Sequence, residues 1–363
     1  MDMRNLIVKN FGPIKDANLQ LKQYSFFIGG TGVGKSALAK LLGIVSDYHL
    51  YLCLAGVDGG RGWSDFLVDY GIDGYVTENS CIEYRESGRY FDIEDNMKEK
   101  DYSISLHVEG DNVRFEMTSS QTVVTGNDVV PIFSSLMARG LQWDKPVLYI
   151  PAGRIMHASF YNLLPVLSLV KETVTAAMLH FTVEYNSARA HFKEYSIPFL
   201  GVGFEHMTDD DYVILHDGRR VPVKTASSGI QSTIPLLLTL HYAINEKHCK
   251  SFVVEEPESF LFPKNQLLLM DRIFQLLKDS GSTLTVTTHS PYIINYLNLL
   301  MRRHRRGLGS GIQPDKLAVY SVNDSGCTVN LMAVDNHTGE PLVNTTDLSE
   351  TMAGIFSEYT RLK

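Results

Sequence analysis

Eight consecutive residues, Gly29-Gly30-Thr31-Gly32-Val33-Gly34-Lys35-Ser36, constrain this chain more than any other stretch. They read G-x-x-x-x-G-K-S. They follow the apolar run Tyr24-Ser25-Phe26-Phe27-Ile28 and lead into Ala37-Leu38-Ala39-Lys40-Leu41-Leu42, which has helical spacing. Strand, glycine loop and helix in that order form the setting in which backbone N–H groups curl around a phosphate. The helix N-terminus adds partial positive charge at the same point. In such a loop the main chain from Gly29 to Ala37 is the cradle, Lys35 reaches the β- and γ-phosphates, and the Ser36 hydroxyl is a Mg²⁺ ligand. A glycine-rich turn with an incidental lysine would match the spelling but not the placement.

Three later motifs supply what the loop lacks. In Phe252-Val253-Val254-Glu255-Glu256-Pro257-Glu258 an apolar strand runs into carboxylates. Mg²⁺ takes hard oxygen ligands, and water attacking a γ-phosphate needs a base to orient it. We therefore expect Glu255 at the metal and Glu256 at the water. Thr225-Ala226-Ser227-Ser228-Gly229-Ile230 opens a long apolar helix. Ser227 or Ser228 can act as an ordinary N-cap, and the same hydroxyl, glycine and helix terminus make a second anion site. One γ-phosphate does not need two such sites. Two chains facing head to tail do, each offering Ser228-Gly229 to the nucleotide held by the other. In Thr287-Thr288-His289-Ser290, His289 at a strand end can hydrogen-bond the γ-phosphate and the attacking water. The rival reading of each motif is a solvated acidic loop, a plain helix cap and a backbone-satisfied histidine.

Taken in order, the four motifs resemble ATP-binding-cassette-type ATPases of the branch that includes structural-maintenance-of-chromosomes, recombination-mediator and overcoming-lysogenisation-defect proteins. The quoted resemblance covers the first sixty residues, Val147–Arg154 and Tyr212–Tyr296. It implies an α/β P-loop NTPase of ABC-ATPase type, with a central mostly parallel sheet, an inserted antiparallel β subdomain and a helical arm. It also implies ATP and Mg²⁺ as cofactors, a homodimer or higher oligomer around two nucleotides, and His289 as the switch histidine. Departures are visible. The signature reads Ser-Ser-Gly-Ile-Gln, Glu255 stands where transporters have Asp, and Phe260 and Phe262 occupy positions that are commonly histidine. The glutamine of the family's middle loop has no evident counterpart, and Arg154 is the expected substitute near the phosphates. Compact Glu-Glu-Pro-Glu ATPases of this kind often work beside a separately encoded effector in bacterial anti-phage defence, which is the role we expect. The alternatives are a DNA-binding repair or maintenance ATPase, a transporter ATPase subunit and a non-hydrolysing nucleotide sensor.

The remaining sequence sets the boundaries. We expect a single ATPase domain over residues 1–363, containing a β-rich insertion at 63–145, a helical arm at 155–200 and a C-terminal β/helical extension at 311–363. Alternation over Cys81–Tyr84 and Tyr90–Ile93 suggests strands separated by a turn at Glu86-Ser87-Gly88. Tyr102–Val108 and Val113–Met117 flank the hairpin signal Glu109-Gly110-Asp111-Asn112. The arm is read from apolar spacing at Leu164, Leu167, Val170, Met178 and Phe181. No apolar run approaches membrane-span length, and Met1-Asp2-Met3-Arg4-Asn5 lacks a signal-peptide layout. The four cysteines show no C-x-x-C pairing, which argues against a zinc site or a disulfide framework, and we expect a cytoplasmic protein with no membrane association. Formal net charge is −8, which excludes a broad nucleic-acid footprint. It leaves only Arg302-Arg303-His304-Arg305-Arg306 as a local contact for nucleic acid or an acidic partner.

Overall fold

Short strands that are buried on both faces are stable only between two covering layers. Four such strands, Tyr24–Gly29, Val147–Ile150, Ser251–Glu255 and Thr283–Thr288, are buried almost throughout. The computed structural model describes residues 3–92, 98–120, 122–137, 147–160, 174–208, 210–246 and 249–361. In it these strands join Leu317–Val322 and Thr328–Asn330 in one sheet. The order across the sheet is 328–330, 317–322, 24–29, 283–288, 251–255, 147–150. Every neighbouring pair is parallel except the edge pair formed by Thr328–Asn330 with Leu317–Val322. Alternate side chains enter different cores. Phe27, Tyr149 and Val253 belong to one, while Phe26, Ile28, Leu148, Ile150, Phe252 and Val254 belong to the other.

The second core is roofed by the helices Ser228–Asn245, Pro263–Leu277 and Pro291–Arg305. The first lies under the helix Lys35–Val45 and a six-stranded antiparallel sheet. That sheet runs in the order 14–21, 3–11, 81–92, 98–109, 112–119, 122–124. The β-rich insertion is therefore not a separate layer, because it extends the hairpin that precedes the glycine loop. The expected turn at Glu86-Ser87-Gly88 is absent, and Cys81–Asp92 is one unbroken strand. Glu86 points inward, where its carboxylate accepts from the Tyr84, Tyr102 and Tyr48 hydroxyls at 2.6, 2.8 and 3.3 Å. A satisfied buried carboxylate does not break the strand that carries it.

Other boundaries move for local reasons. The helix after the glycine loop stops at Val45 and the chain restarts as Tyr48–Leu54, capped by Asp47 Oδ1 on the His49 N–H. The helical arm is shorter than 155–200. Among the described residues helix covers Ile155–Phe160 and Ala176–His191, and the chain then forms the strands Glu194–Ile197 and Val202–His206. With Asp211–Ile214 and Arg220–Pro222 they form a four-stranded antiparallel sheet, in the order 220–222, 211–214, 202–206, 194–197. Leu164, Leu167 and Val170 lie outside the described residues. The C-terminal region is not a mere extension either, since Leu317–Val322 pairs directly with the strand that feeds the glycine loop. The strands Thr328–Asn330 and Met332–Val334 are split at Leu331, whose N–H turns to the Val319 carbonyl. Among the described residues no single helix is long and apolar enough to cross a membrane.

Candidate nucleotide site

The register of the core sheet brings three motifs level. Thr287 pairs with Glu255 on one side and with Phe27 on the other. The loops carrying the glycines, the acids and His289 therefore leave the sheet side by side at its C-terminal edge, the usual location of ligands in open α/β sheets.

Sterics dictate the glycine loop. Gly32 and Gly34 have φ of 80° and 112°, in the left-handed region where a side chain is disfavoured. A Cβ on Gly34 would also lie 2.3 Å from Ile14 Cδ1, and one on Gly29 would lie 2.3 Å from the Val322 carbonyl oxygen. The loop is thus fitted between the N-terminal hairpin and the neighbouring strand. Lys35 is buried and donates from Nζ to the Gly29 and Gly30 carbonyls at 3.0 and 2.6 Å. Burial pushes its ammonium below the ordinary value, while the Glu256, Glu258 and Glu255 charges pull it back up. Gly34→Ala is expected to cost about 2 kcal/mol of stability through overpacking and backbone strain. Thermal unfolding without nucleotide would reveal that cost, and an unchanged transition would mean that Ile14 is free to withdraw.

The acids divide by environment. Glu255 is buried. Its Oε2 accepts from the Ala152 N–H at 3.3 Å, and its Oε1 has no hydrogen-bond partner among the described residues. An orphaned carboxylate oxygen at a strand tip fits a hard cation, and Ser36, exposed on the first turn of its helix, offers a hydroxyl. Glu256 takes φ of 42°, which is unusual for a residue with a side chain. This aims its carboxylate sideways. Oε1 lies 3.3 Å from His289 Nε2, and Oε2 accepts from the Ser259 hydroxyl at 3.1 Å. The structure therefore brings Glu256 and His289 into one pair.

Two further residues hold this arrangement, and the sequence reading missed both roles. Glu258 is buried and accepts from the Thr288 hydroxyl at 2.6 Å and the His289 N–H at 2.8 Å. Burial raises its carboxyl above the usual range, against those two bonds. Its position two residues after Glu256 was the only available signal. Arg154 corrects an expectation. It does not stand free beside the phosphates but is fully buried. Its Nε donates to the Ser232 carbonyl, one terminal nitrogen to Pro151 and Glu255, and the other to Glu256 and Pro257, at 2.7–3.2 Å. All five guanidinium N–H groups are thereby engaged by carbonyls. Burial lowers its pKa to about 10, opposed by the Glu258, Glu256 and Glu255 charges, so it stays cationic at neutral pH.

Ser228 and Gly229 are not brought to the glycine loop by any hydrogen bond among the described residues. Ser227 is the N-cap of their helix but makes no side-chain capping bond, and both serines are exposed. Gly229 is buried against the loop after the acids, where a Cβ would approach the Phe260 carbonyl to 2.9 Å. Phe260 and Phe262 are 62% and 75% exposed. The basic run is divided. Arg303 turns onto Tyr296, its Nη1 donating to the Tyr296 hydroxyl at 2.8 Å, and Arg305 pairs with Glu340 at 2.6 Å. Arg302 and Arg306 are exposed.

Residues 165–294 match a protein family described as an AAA ATPase domain. The matched segment holds Ser228, Glu255, Glu256 and His289, and the glycine loop lies upstream of it. No curated protein matches the chain. Solved structures similar to it include an Smc head bound to the C-winged helix domain of ScpA, at 17% identity, 91% coverage of this chain, 97% of that one and a TM-score of 0.47. Another is the SMC head domain from Thermotoga maritima, at 11% identity, 95% and 98% coverage and a TM-score of 0.43. A third is an Smc head with an extended coiled coil bound to the C-terminal domain of ScpA, derived from Pyrococcus furiosus, at 12% identity, 99% and 100% coverage and a TM-score of 0.45. The family match and the strand–glycine loop–helix geometry together support a P-loop ATPase.

Proposed function

We propose that this chain is an ABC-type ATPase that binds ATP–Mg²⁺, closes as a dimer over two nucleotides and hydrolyses them slowly. The observation that carries the reading is the flush register of Phe27, Thr287 and Glu255, which groups Lys35, Glu255, Glu256 and His289 at one sheet edge. Gly29 to Ala37 wraps the phosphates, with Thr31 and Val33 contributing main chain. Lys35 turns its ammonium from the Gly29 and Gly30 carbonyls to the β- and γ-phosphates. Ser36 and the unpartnered oxygen of Glu255 would hold Mg²⁺, which would neutralise charge on the phosphate oxygens. Glu256 orients the attacking water and accepts its proton, and His289 Nε2, 3.3 Å from it, steadies that carboxylate and the γ-phosphate. The exposed Ser228 and the helix terminus behind it serve the nucleotide of the partner subunit.

Two inactive variants separate a shared site from a self-contained one. Lys35→Ala should lose nucleotide binding, and Ser228→Arg should bind nucleotide but not turn it over. Mixed in equal amounts, they form heterodimers with one intact composite site, and independent sites would restore about a quarter of the wild-type phosphate release. A mixture as inactive as its components would sink the shared-site reading.

We further propose that the nucleotide cycle regulates a separately encoded effector, in anti-phage defence. The resemblance to compact Glu-Glu-Pro-Glu ATPases supports this role. Affinity purification from the native operon should recover the effector, and recovery of the ATPase alone would count against it. Duplex DNA is the less favoured partner, because two of the four arginines in the basic run are engaged within the chain.

A further inference from the structure

Away from the glycine loop, three donor side chains converge at the helix Tyr48–Leu54. His49 and Cys53 are four residues apart and share one face of that helix. His49 Nε2 and Cys53 Sγ are 3.7 Å apart. Asp58 approaches the same nitrogen from the following loop, with Oδ2 at 2.6 Å. The donor atoms all lie within 4.8 Å of one another. The backbone fixes the turn that delivers Asp58. Gly56 takes φ of 75° and donates its N–H to the Cys53 carbonyl. The Val57 and Asp58 N–H groups both return to the Leu52 carbonyl. At the other end, Asp47 Oδ1 holds the His49 N–H.

Geometry separates two chemistries for this trio. In a Cys–His–Asp nucleophile the thiol and the acid must address opposite ring nitrogens, because the acid orients the imidazole that takes the thiol proton. Here both face Nε2, so Asp58 cannot play that part. A sulfur, a nitrogen and a carboxylate oxygen meeting around one point are the donors of a tetrahedral zinc ion. Bonds of about 2.3 Å to sulfur and about 2.0 Å to nitrogen and oxygen would set S···N near ~3.5 Å and N···O near ~3.3 Å. The first separation is already met within a few tenths of an ångström. The second requires Asp58, an exposed loop residue, to draw back by about 0.7 Å.

We propose that His49, Cys53 and Asp58 bind one Zn²⁺, with water in the fourth position on the side where Asp58 meets solvent. Binding releases the Cys53 thiol proton to solvent and leaves a thiolate on the metal. The ion fastens the loop that follows Leu54 to its helix, one bend away from the helix carrying Lys35. A second convergence, Cys81, Glu83 and His107, lies on the antiparallel sheet. There His107 is divided between two carboxylates, its Nδ1 3.9 Å from Glu83 and its Nε2 3.1 Å from Glu109, and Cys81 serves as the control.

The test is a Co²⁺ titration of chelator-stripped full-length protein, followed by absorbance. The expected result is a near-ultraviolet thiolate-to-cobalt charge-transfer band with visible bands of tetrahedral intensity, both removed by stoichiometric Zn²⁺. The charge-transfer band should vanish in Cys53→Ser and persist in Cys81→Ser. Asp58→Asn, a surface change that keeps the test alive should Cys53→Ser fail to fold, should weaken Co²⁺ binding about tenfold or more, since even outer-shell partners of metal sites are worth that much. Absence of a thiolate band in the wild type would overturn the proposal. So would a band that survives Cys53→Ser but is lost in Cys81→Ser, or an affinity unmoved by Asp58→Asn.

Discussion

Glu256→Gln is expected to lower ATP turnover by about a hundredfold or more, the usual worth of a positioned base, while ATP remains bound. Glutamine keeps the shape of the side chain and can still face Ser259, but it cannot take a proton from water. Because Glu255 and Lys35 are untouched, the nucleotide pocket should retain its affinity. The closed dimer should then accumulate, since ATP biases the equilibrium toward whichever state binds it better and only hydrolysis removes the bias. Sedimentation with and without ATP reads the association, and phosphate release reads the turnover. Turnover within a few-fold of wild type would remove Glu256 from its assigned role. A mass unresponsive to ATP in both proteins would count against closure, unless the protein is a constitutive dimer, for which a distance probe across the interface is the informative measurement.

The second large effect is structural. Arg154→Met should cost about 3 kcal/mol or more, because it leaves several buried carbonyls without their donor. Methionine restores most of the volume, so packing contributes little to the loss. Arg154→Lys should recover only part of it, as an ammonium carries three donors where the guanidinium carries five. Three of the carbonyls belong to Glu255, Glu256 and Pro257, and Glu256 is held in the left-handed region at a cost of about 1 kcal/mol or more. Arg154→Lys should therefore slow hydrolysis while leaving ATP affinity nearly intact. Urea unfolding gives the stability, and kcat against nucleotide affinity gives the split. A loss of stability below about 1 kcal/mol in Arg154→Met would show that the carbonyls find other donors.

What could be read from residues alone follows the range of the forces involved. The glycine loop, the acidic strand end and the helix from Ser228 are set by local spacing, and they stand within a residue or two of expectation. Glu86 misled because a charged residue followed by Ser-Gly resembles a turn. What keeps it in a strand is a cage of tyrosines, of which Tyr48 and Tyr102 lie far off in sequence. Arg154 was drawn toward the phosphates because a cation near them is useful. Its real surroundings come from carbonyls eighty to a hundred residues downstream, which no periodicity announces. The strand Glu194–Ile197 falls inside the expected arm because four residues are too few to outweigh a helical pattern beside them.

Ile14 opens the strand at one border of the antiparallel sheet, and its side chain fills the space a Cβ on Gly34 would need. From that strand, ladders of hydrogen bonds run without a gap to Thr122–Val124 at the opposite border. Anything that grips the far border therefore holds one end of a continuous plate whose other end rests on the phosphate cradle. Load applied there by a bound protein would act on the same mechanical part as the hold on a triphosphate.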